Sequence, residues 1–296
     1  MNNQIKNYLT ELRREMAKCD QATIQDATAD AHEHLALALE NALADNPEMD
    51  ETEALAAIIA DYGSPEEIAA AYIQAESVIR PYPEPRKKTN GRGPLARFFG
   101  IYGDSTAWGS MLYMLISFIT GAIYFVWITY GLSLSIIFSL FIFGMPFAVL
   151  FFLSMRGLGV LEGRMVEALL GVRMPRRPIF FPRDLKWRDR LMLYLKDKQS
   201  WKILLYLFLQ MPISVIYVTI WFTLIGFGIA FLISPLIQEM FGLPIASLGD
   251  QLIYAPIWAL PLFSLLGIII LTAFMHLAKS IGKLHGKYAK SLLVAN

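Results

Sequence analysis

Residues 107–155 read AWGSMLYMLISFITGAIYFVWITYGLSLSIIFSLFIFGMPFAVLFFLSM and contain no Asp, Glu, Lys or Arg. Residues 203–238 and 251–275 are also free of charged side chains. Because a helix needs about 20 apolar residues to cross a bilayer, each stretch is long enough for at least one crossing. The sequence therefore predicts an all-α integral membrane protein.

The 26 Lys and Arg residues lie in four blocks, within residues 1–79, 80–97, 156–202 and 279–290. Such residues flank membrane helices on the cytoplasmic side. We therefore expect all four blocks, and with them both termini, to face the cytoplasm. The predicted location is the cytoplasmic membrane, crossed several times.

Residues 1–79 form an acidic unit with 16 acidic and 4 basic residues. Its apolar residues recur at helical spacing, which predicts a small cytoplasmic domain of three or four helices. In DYGSPEEI (61–68), Gly63 can end one helix, and Ser64 and Glu67 can cap the next one reciprocally. Residues 80–106 follow as a basic linker rich in Pro and Gly.

Two motifs of this unit carry a resemblance. LTELRREM (9–16) and YGSPEEIA (62–69) resemble the bacterial HAAS signalling domain, and the similarity covers about residues 5–75. The resemblance implies a helical module fused to a membrane region, in the bacterial inner membrane. It implies no catalytic residue.

The membrane region, residues 107–296, repeats itself. Trp108, Tyr113 and Tyr124 recur 93 residues later, whereas Gly159 and Gly163 recur 123 residues later as Gly282 and Gly286. We infer two parallel hairpin repeats, with crossings near 108–130, 134–155, 201–223 and 253–277. The offsets differ by 30 residues, so residues 224–252 are an insertion. We expect it to lie in the outer interface or to dip back against protein rather than to form a fifth crossing.

Each even-numbered crossing continues into a basic tail. The tails read RGLGVLEGRMVEALLGVRMP (156–175) and KSIGKLHGKYAKSLLV (279–294). Apolar residues beside basic ones favour a helix lying at the cytoplasmic headgroups. The alternative is packing of one tail against the other through the glycine pairs.

The predicted crossings contain no Asp, Glu, Lys or Arg, which argues against ion pumps and proton-coupled carriers. Tyr124, Tyr217 and Gln210 are the candidates for ligand binding. The alternative for the two tyrosines is packing between helices or a place in the outer aromatic belt. His32 and His34 are two residues apart, so they point to different faces of a helix and do not form a metal site. We find no nucleotide-binding or catalytic motif and expect no enzyme, cofactor or metal.

The membrane half carries a second resemblance. Its repeated Trp and Tyr positions, the tail 156–175 and DKQSW (197–201) are similar to the bacterial Sensor membrane domain, over about residues 105–293. The resemblance implies a membrane-embedded module that receives a signal. The sequence ends at Asn296 without the phosphoacceptor and ATP-binding regions of kinase-linked members, so we expect the output to pass through the N-terminal domain or a partner.

Charge suggests how the two parts interact. We expect the acidic domain to dock in one state on basic residues of the segment 156–202, namely Arg173, Arg176, Arg177, Arg183, Arg188 and Arg190. The alternative is that these residues only bind anionic lipid.

The predicted function is a non-enzymatic membrane sensor that relays an envelope or lipid-borne signal to a cytoplasmic regulator or transcription regulator. The alternative is an accessory component of membrane transport or lipid handling. The lipid bilayer is the expected partner, homo-oligomers remain open, and direct nucleic-acid binding is not expected.

Overall fold

The computed structural model describes residues 3–78, 93–138, 144–176 and 186–295. Residues 80–92 of the predicted linker and the docking candidates Arg177 and Arg183 lie outside the described residues. The described part is helical apart from one short β-hairpin.

Four helices form the N-terminal domain: α1 (Asn3–Glu15), α2 (Gln21–Asp45), α3 (Glu51–Tyr62) and α4 (Pro65–Val78). The predicted capping box at the start of α4 is confirmed. The Ser64 N–H donates to Glu67 Oε2 at 3.0 Å, and the Glu67 N–H donates to Ser64 Oγ at 3.3 Å. Gly63 ends α3 with a φ of 109°, which a side chain would strain.

The core of this domain forms from the predicted apolar stripes, with Leu12, Met16, Leu35 and Leu55 fully buried. The Tyr8 hydroxyl donates to the Gly63 carbonyl at 2.9 Å and so ties α1 to the end of α3. Burial, together with electrostatic repulsion from Tyr62, Glu66 and Glu67, raises the pKa of Tyr8 to about 12. Tyr8 therefore stays a neutral donor.

Four helices are long and apolar enough to cross a membrane: α6 (Ser105–Phe138), α7 (Gly144–Leu170), α9 (Lys198–Phe241) and α10 (Leu260–Leu293), the last preceded by a 3₁₀ turn from Ile257. Two short helices accompany them, α5 (Pro94–Phe99) before α6 and α8 (Trp187–Lys196) before α9. The described part thus has four candidate membrane helices, the number inferred from the charge blocks.

Consecutive long helices form hairpins. In the first, the Trp127 indole N–H of α6 donates to Ser154 Oγ of α7 at 3.0 Å. In the second, Gly267 of α10 packs so closely on α9 that a Cβ would lie 2.5 Å from the Leu232 backbone nitrogen. Glycine at this contact lets the two backbones approach each other.

The structure corrects the prediction for the insertion. Its first 18 residues, 224–241, continue α9, so they neither dip back nor lie as a separate outer segment. The helix passes through Pro212 and Pro235 and ends at Gly242, whose φ is 64°. With 44 residues it is about 66 Å long at 1.5 Å per residue. An antiparallel hairpin of β1 (Ala246–Leu248) and β2 (Gln251–Ile253) then leads towards α10.

The prediction of headgroup-bound tails was also wrong. Both tails continue their helices into the bundle, to Leu170 in α7 and Leu293 in α10. Gly159 packs on Ile203, where a Cβ would lie 3.0 Å from the side chain, and Gly282 packs on Ser110. The glycines remove side-chain bulk, so the tails pack against other helices instead of lying on a surface.

Candidate functional site

One carboxyl group is fully buried in the four-helix bundle. Glu162 of α7 has no exposed surface. Its Oε1 accepts hydrogen bonds from the Tyr113 hydroxyl at 2.6 Å and the Tyr206 hydroxyl at 3.1 Å, and its Oε2 accepts one from the Tyr124 hydroxyl at 3.1 Å. Tyrosines of α6 and α9 therefore surround a charge-bearing side chain of α7.

A buried histidine faces this carboxyl group across the same tyrosines. His285 Nε2 of α10 lies 2.6 Å from the Tyr113 oxygen and 2.9 Å from the Tyr206 oxygen. Its Nδ1 lies 3.0 Å from the Tyr217 oxygen. The Gln210 amide donates to the Tyr113 oxygen at 3.0 Å. We call these seven residues the central cluster: Tyr113, Tyr124, Glu162, Tyr206, Gln210, Tyr217 and His285.

The contacts of the central cluster occur in matched pairs. Glu162 and His285 are 123 residues apart, whereas Tyr113 and Tyr206, like Tyr124 and Tyr217, are 93 apart. Tyr113 and Tyr206 each touch both Glu162 and His285, Tyr124 touches Glu162, and Tyr217 touches His285. Every one of these contacts thus has a counterpart at the same offsets.

Two ion pairs follow the same rule. Arg156 of α7 pairs with Asp197 at the start of α9, and Lys279 of α10 pairs with Asp104 just before α6. Burial disfavours the charged form of Asp104, but hydrogen bonds from Lys279 and Thr106 outweigh it and lower the pKa of the Asp104 carboxyl. Each pair connects a residue of one hairpin to a residue of the other.

The three ligand candidates from the sequence all lie in the central cluster. Tyr124 and Gln210 are buried and Tyr217 is partly buried. The two tyrosines contact Glu162 and His285, respectively. Their proposed role in ligand binding stays a prediction.

Sequence reasoning missed Glu162 and His285, because the predicted crossings ended at residues 155 and 277. The offset of 123 between the two residues was the signal that could have found them. Since α7 carries Glu162 inside the bundle, the lack of charged residues in the predicted crossings no longer argues against proton-coupled chemistry.

A second group of polar contacts joins the N-terminal domain to the bundle. The Arg173 guanidinium donates to Asp26 Oδ2 at 3.0 Å and Glu76 Oε1 at 3.2 Å. The Arg176 N–H donates to Asp26 Oδ1 at 2.6 Å, and Lys290 pairs with Asp20. We call these contacts the domain interface.

The domain interface favours the charged form of its central arginine. Burial disfavours the Arg173 cation, but Asp26, Glu76 and Glu167 outweigh this effect and raise the pKa of the guanidinium. The interface also includes the chain just after α10, where the Ala295 N–H donates to Gln25 Oε1 at 2.9 Å.

Two of the six arginines proposed for docking, Arg173 and Arg176, contact the N-terminal domain. Arg188 is exposed on α8, and the Arg190 guanidinium lies 5.5 Å from the centre of the Trp187 ring. Lys290, which contributes to the interface, was not predicted.

The short segment 171–176, which we call the linking loop, touches both groups of contacts. Met174 is buried against Gly163, where a Cβ would lie 3.5 Å from the Met174 Cβ, and Val172 packs on Gly286. These glycines directly follow Glu162 and His285 in sequence. Arg173, between Val172 and Met174, contacts the N-terminal domain. The linking loop therefore lies between the central cluster and the domain interface.

Within the described ranges, no group of three or more His, Cys, Asp or Glu side chains could hold a metal ion.

The family model described as Putative sensor matches residues 113–293, and the HAAS family model matches residues 7–71. No curated protein and no solved structure shows significant similarity to the chain.

Proposed function

We propose that this chain, which belongs to the Sensor family and carries an N-terminal HAAS domain, is a non-enzymatic bacterial membrane sensor. In this proposal the bundle receives an envelope or lipid-borne signal in the inner membrane. The HAAS domain passes the signal to a cytoplasmic regulator. The sequence assigned these roles from two resemblances, and the contacts within the chain now supply a physical route between them.

The linking loop is the observation that carries the proposal. Its alternate residues contact opposite sides: Val172 and Met174 pack on glycines beside His285 and Glu162, whereas Arg173 binds Asp26 of the HAAS domain. A shift of Gly286 pushes on Val172, because a Cβ at Gly286 would lie only 2.4 Å from Val172 Cγ2, and Met174 is fully buried beside Gly163. The position of Arg173 therefore depends on the state of the central cluster.

The domain interface has the strength expected of a switch. Its ion pairs keep partial exposure, with 16% of the Arg173 side chain and 34% of the Glu76 side chain accessible. Such pairs contribute about 1 kcal/mol each and weaken with salt. Because the HAAS domain is tethered to the bundle, a few such pairs suffice for docking and a small bias releases them.

We further propose that the bundle is a duplication of two parallel hairpins arranged about the central cluster, with both termini in the cytoplasm. The contact of Tyr113 with Glu162 corresponds to that of Tyr206 with His285, which supports a two-fold relation between the hairpins. The basic blocks support a shared direction. Such a core gives a signal at the centre equal access to both hairpins.

Release of the HAAS domain exposes the output surface. Asp20 and Asp26 are engaged by Lys290 and Arg173 in the docked state, so a partner that uses these carboxylates competes with docking. We expect Arg173→Gln to mimic the released state and Arg188→Gln, on exposed α8, to serve as the matched control.

The test compares the transcripts of cells that carry the wild-type chain, no chain, Arg173→Gln or Arg188→Gln. The proposal predicts that deletion and Arg173→Gln change a common set of transcripts and that Arg188→Gln does not. An unchanged transcript profile in all strains would refute the regulatory role.

An accessory role in transport is the second candidate, because α7 carries a buried ionisable residue and such groups mark ion or proton pathways. It predicts a different result in the same strains. Glu162→Gln would impair uptake or export of a solute or lipid, whereas Arg173→Gln would leave the transcripts unchanged.

A further inference from the structure

Within the part of the chain that the structure describes, the Glu162 carboxyl group of the central cluster has no cationic partner. Among the described residues, the hydrogen-bond partners of Glu162 are three tyrosine hydroxyls and the Gln210 amide, whose Nε2 lies 3.5 Å from Oε1. The nearby Arg156 is directed to Asp197 and Ser200. A bare carboxylate buried without a counter-charge is costly, and such groups usually bind a proton instead.

The directions of the hydrogen bonds in the central cluster depend on how many protons it holds. If Glu162 is ionised, Tyr113, Tyr124 and Tyr206 donate to it. His285 must then donate from Nε2 to a tyrosine oxygen, and when its Nδ1 accepts from Tyr217 the imidazole is neutral. The cluster then carries one negative charge.

An added proton can be held without breaking this network. On His285 it gives a second N–H, which donates to the Tyr217 oxygen once that hydroxyl turns away. On Glu162 it gives an O–H, which donates to a tyrosine oxygen. Because tyrosine hydroxyls both donate and accept, the contacts within the cluster can persist in each protonation state, with one tyrosine hydroxyl hydrogen redirected.

The cluster also holds a spare acceptor. Gln210 is fully buried, and within the described part of the chain its Oε1 has no hydrogen-bond partner. A buried carbonyl without a donor costs about 1–3 kcal/mol. A half-turn of the amide brings this oxygen to the side of Tyr113 and Glu162, where an added proton would supply the missing donor.

We propose that the central cluster is a proton-binding site in which one exchangeable proton is shared between Glu162 and His285 through the hydroxyls of Tyr113 and Tyr206. The titratable and charged groups that face it are Tyr113 and Tyr124 from α6, Tyr206 and Tyr217 from α9, and His285 with Tyr288 from α10. This inference deepens the proposed function, on which it rests, by naming the proton as the ligand of the sensor.

Binding of the proton has a mechanical consequence at the linking loop. The proton reverses hydrogen bonds at Glu162 and His285. The residues that follow them, Gly163 and Gly286, pack against the side chains of Met174 and Val172. Arg173 lies between these two side chains. A change of protonation therefore acts on the loop from both hairpins.

The experiment uses the full chain in lipid nanodiscs. Infrared difference spectra between acidic and alkaline samples report protonated carboxyl groups, and the proposal predicts a carboxyl band that appears on acidification. Glu162→Gln, which keeps shape and hydrogen bonding, should abolish this band. Glu239→Gln, at an exposed position of α9, should leave it unchanged, and His285→Gln should shift its midpoint.

The proposal is overturned if no carboxyl band differs between the acidic and alkaline samples or if the band survives in Glu162→Gln. A melting curve of each variant shows whether it is folded. Distances between spin labels at Glu40 and Lys283, measured on the same samples, test the relay separately. If the band titrates and the distance is constant, the proton site stands and the proposed relay fails. If the distance follows pH in Glu162→Gln as in wild type, the proton site is not the trigger.

Discussion

Removal of the ion pair between Arg173 and Asp26 should weaken the docking of the HAAS domain on the bundle. Arg173 and Asp26 keep 16% and 11% of their side-chain surface, and their atoms lie 3.0 Å apart. A hydrogen bond between charged groups contributes about 1.5–3 kcal/mol when buried, and partial exposure reduces this to about 1–2 kcal/mol. At about 1.4 kcal/mol per factor of ten, the docking equilibrium should fall by about 5–30-fold.

A double-mutant cycle of Arg173→Gln and Asp26→Asn isolates this pair, since Asn keeps an acceptor for the Arg176 N–H. Spin labels at the exposed positions Glu40 and Lys283, in a Cys19→Ser background, report the docked fraction as salt is raised. Both single variants should undock at lower salt than wild type, and the double variant should be no worse than the worse single variant. Arg188→Gln should match wild type. Strictly additive effects of the two changes would refute direct pairing.

Three further predictions concern the bundle. Hydrogen bonds from Lys279 and Thr106 outweigh burial and lower the pKa of Asp104. This carboxylate therefore contributes stability that is present above its ordinary pKa of about 3.9 and is lost as pH falls through the lowered value. Asp104→Asn should lower the melting temperature at neutral pH and flatten its decline in acid, and an unchanged acid profile would contradict the pairing. A Cβ at Gly267 would meet the α9 backbone 2.5 Å away, whereas a Cβ at Gly226 would meet no neighbouring described atom within 4 Å. Gly267→Ala should therefore cost about 1–3 kcal/mol in stability, and Gly226→Ala should be tolerated. Equal melting temperatures of the two variants would argue against the close α9–α10 contact. Single cysteines at the exposed positions Ser247 and Ser291, in a Cys19→Ser background, should react with an impermeant thiol reagent added outside the cell only at Ser247, and external labelling at Ser291 would reverse the predicted topology.

The sequence predicted the four long helices because charge-free stretches of this length have few alternatives. It did not predict where α9 ends. Residues 224–238 are as apolar as the preceding crossing, and composition cannot distinguish a longer helix from an interfacial segment. The assumption that both hairpins have equal length placed the end of the crossing near residue 223, whereas the helix continues to Phe241.

The sequence predicted only some residues of the central cluster. Tyr124, Tyr217 and Gln210 were selected as polar residues inside apolar helices. Glu162 was assigned to a surface tail because Arg156 and Arg164 lie near it in sequence, and charge runs of this kind usually mark solvated helix faces. Only tertiary packing reveals that Glu162 is buried by tyrosines of two other helices.

The most direct test of the relay is whether a change confined to the central cluster moves the HAAS domain. Distances between labels at Glu40 and Lys283 are measured at one pH and salt concentration in wild type, Glu162→Gln, and Glu162→Gln combined with Met174→Ala. Arg173→Gln is the positive control and Glu239→Gln the negative one. We predict that Glu162→Gln shifts the docked fraction and that Met174→Ala, which removes the buried side chain of the linking loop beyond its Cβ, reduces that shift. A docked fraction that stays at the wild-type value in Glu162→Gln, while Arg173→Gln lowers it, would refute the relay.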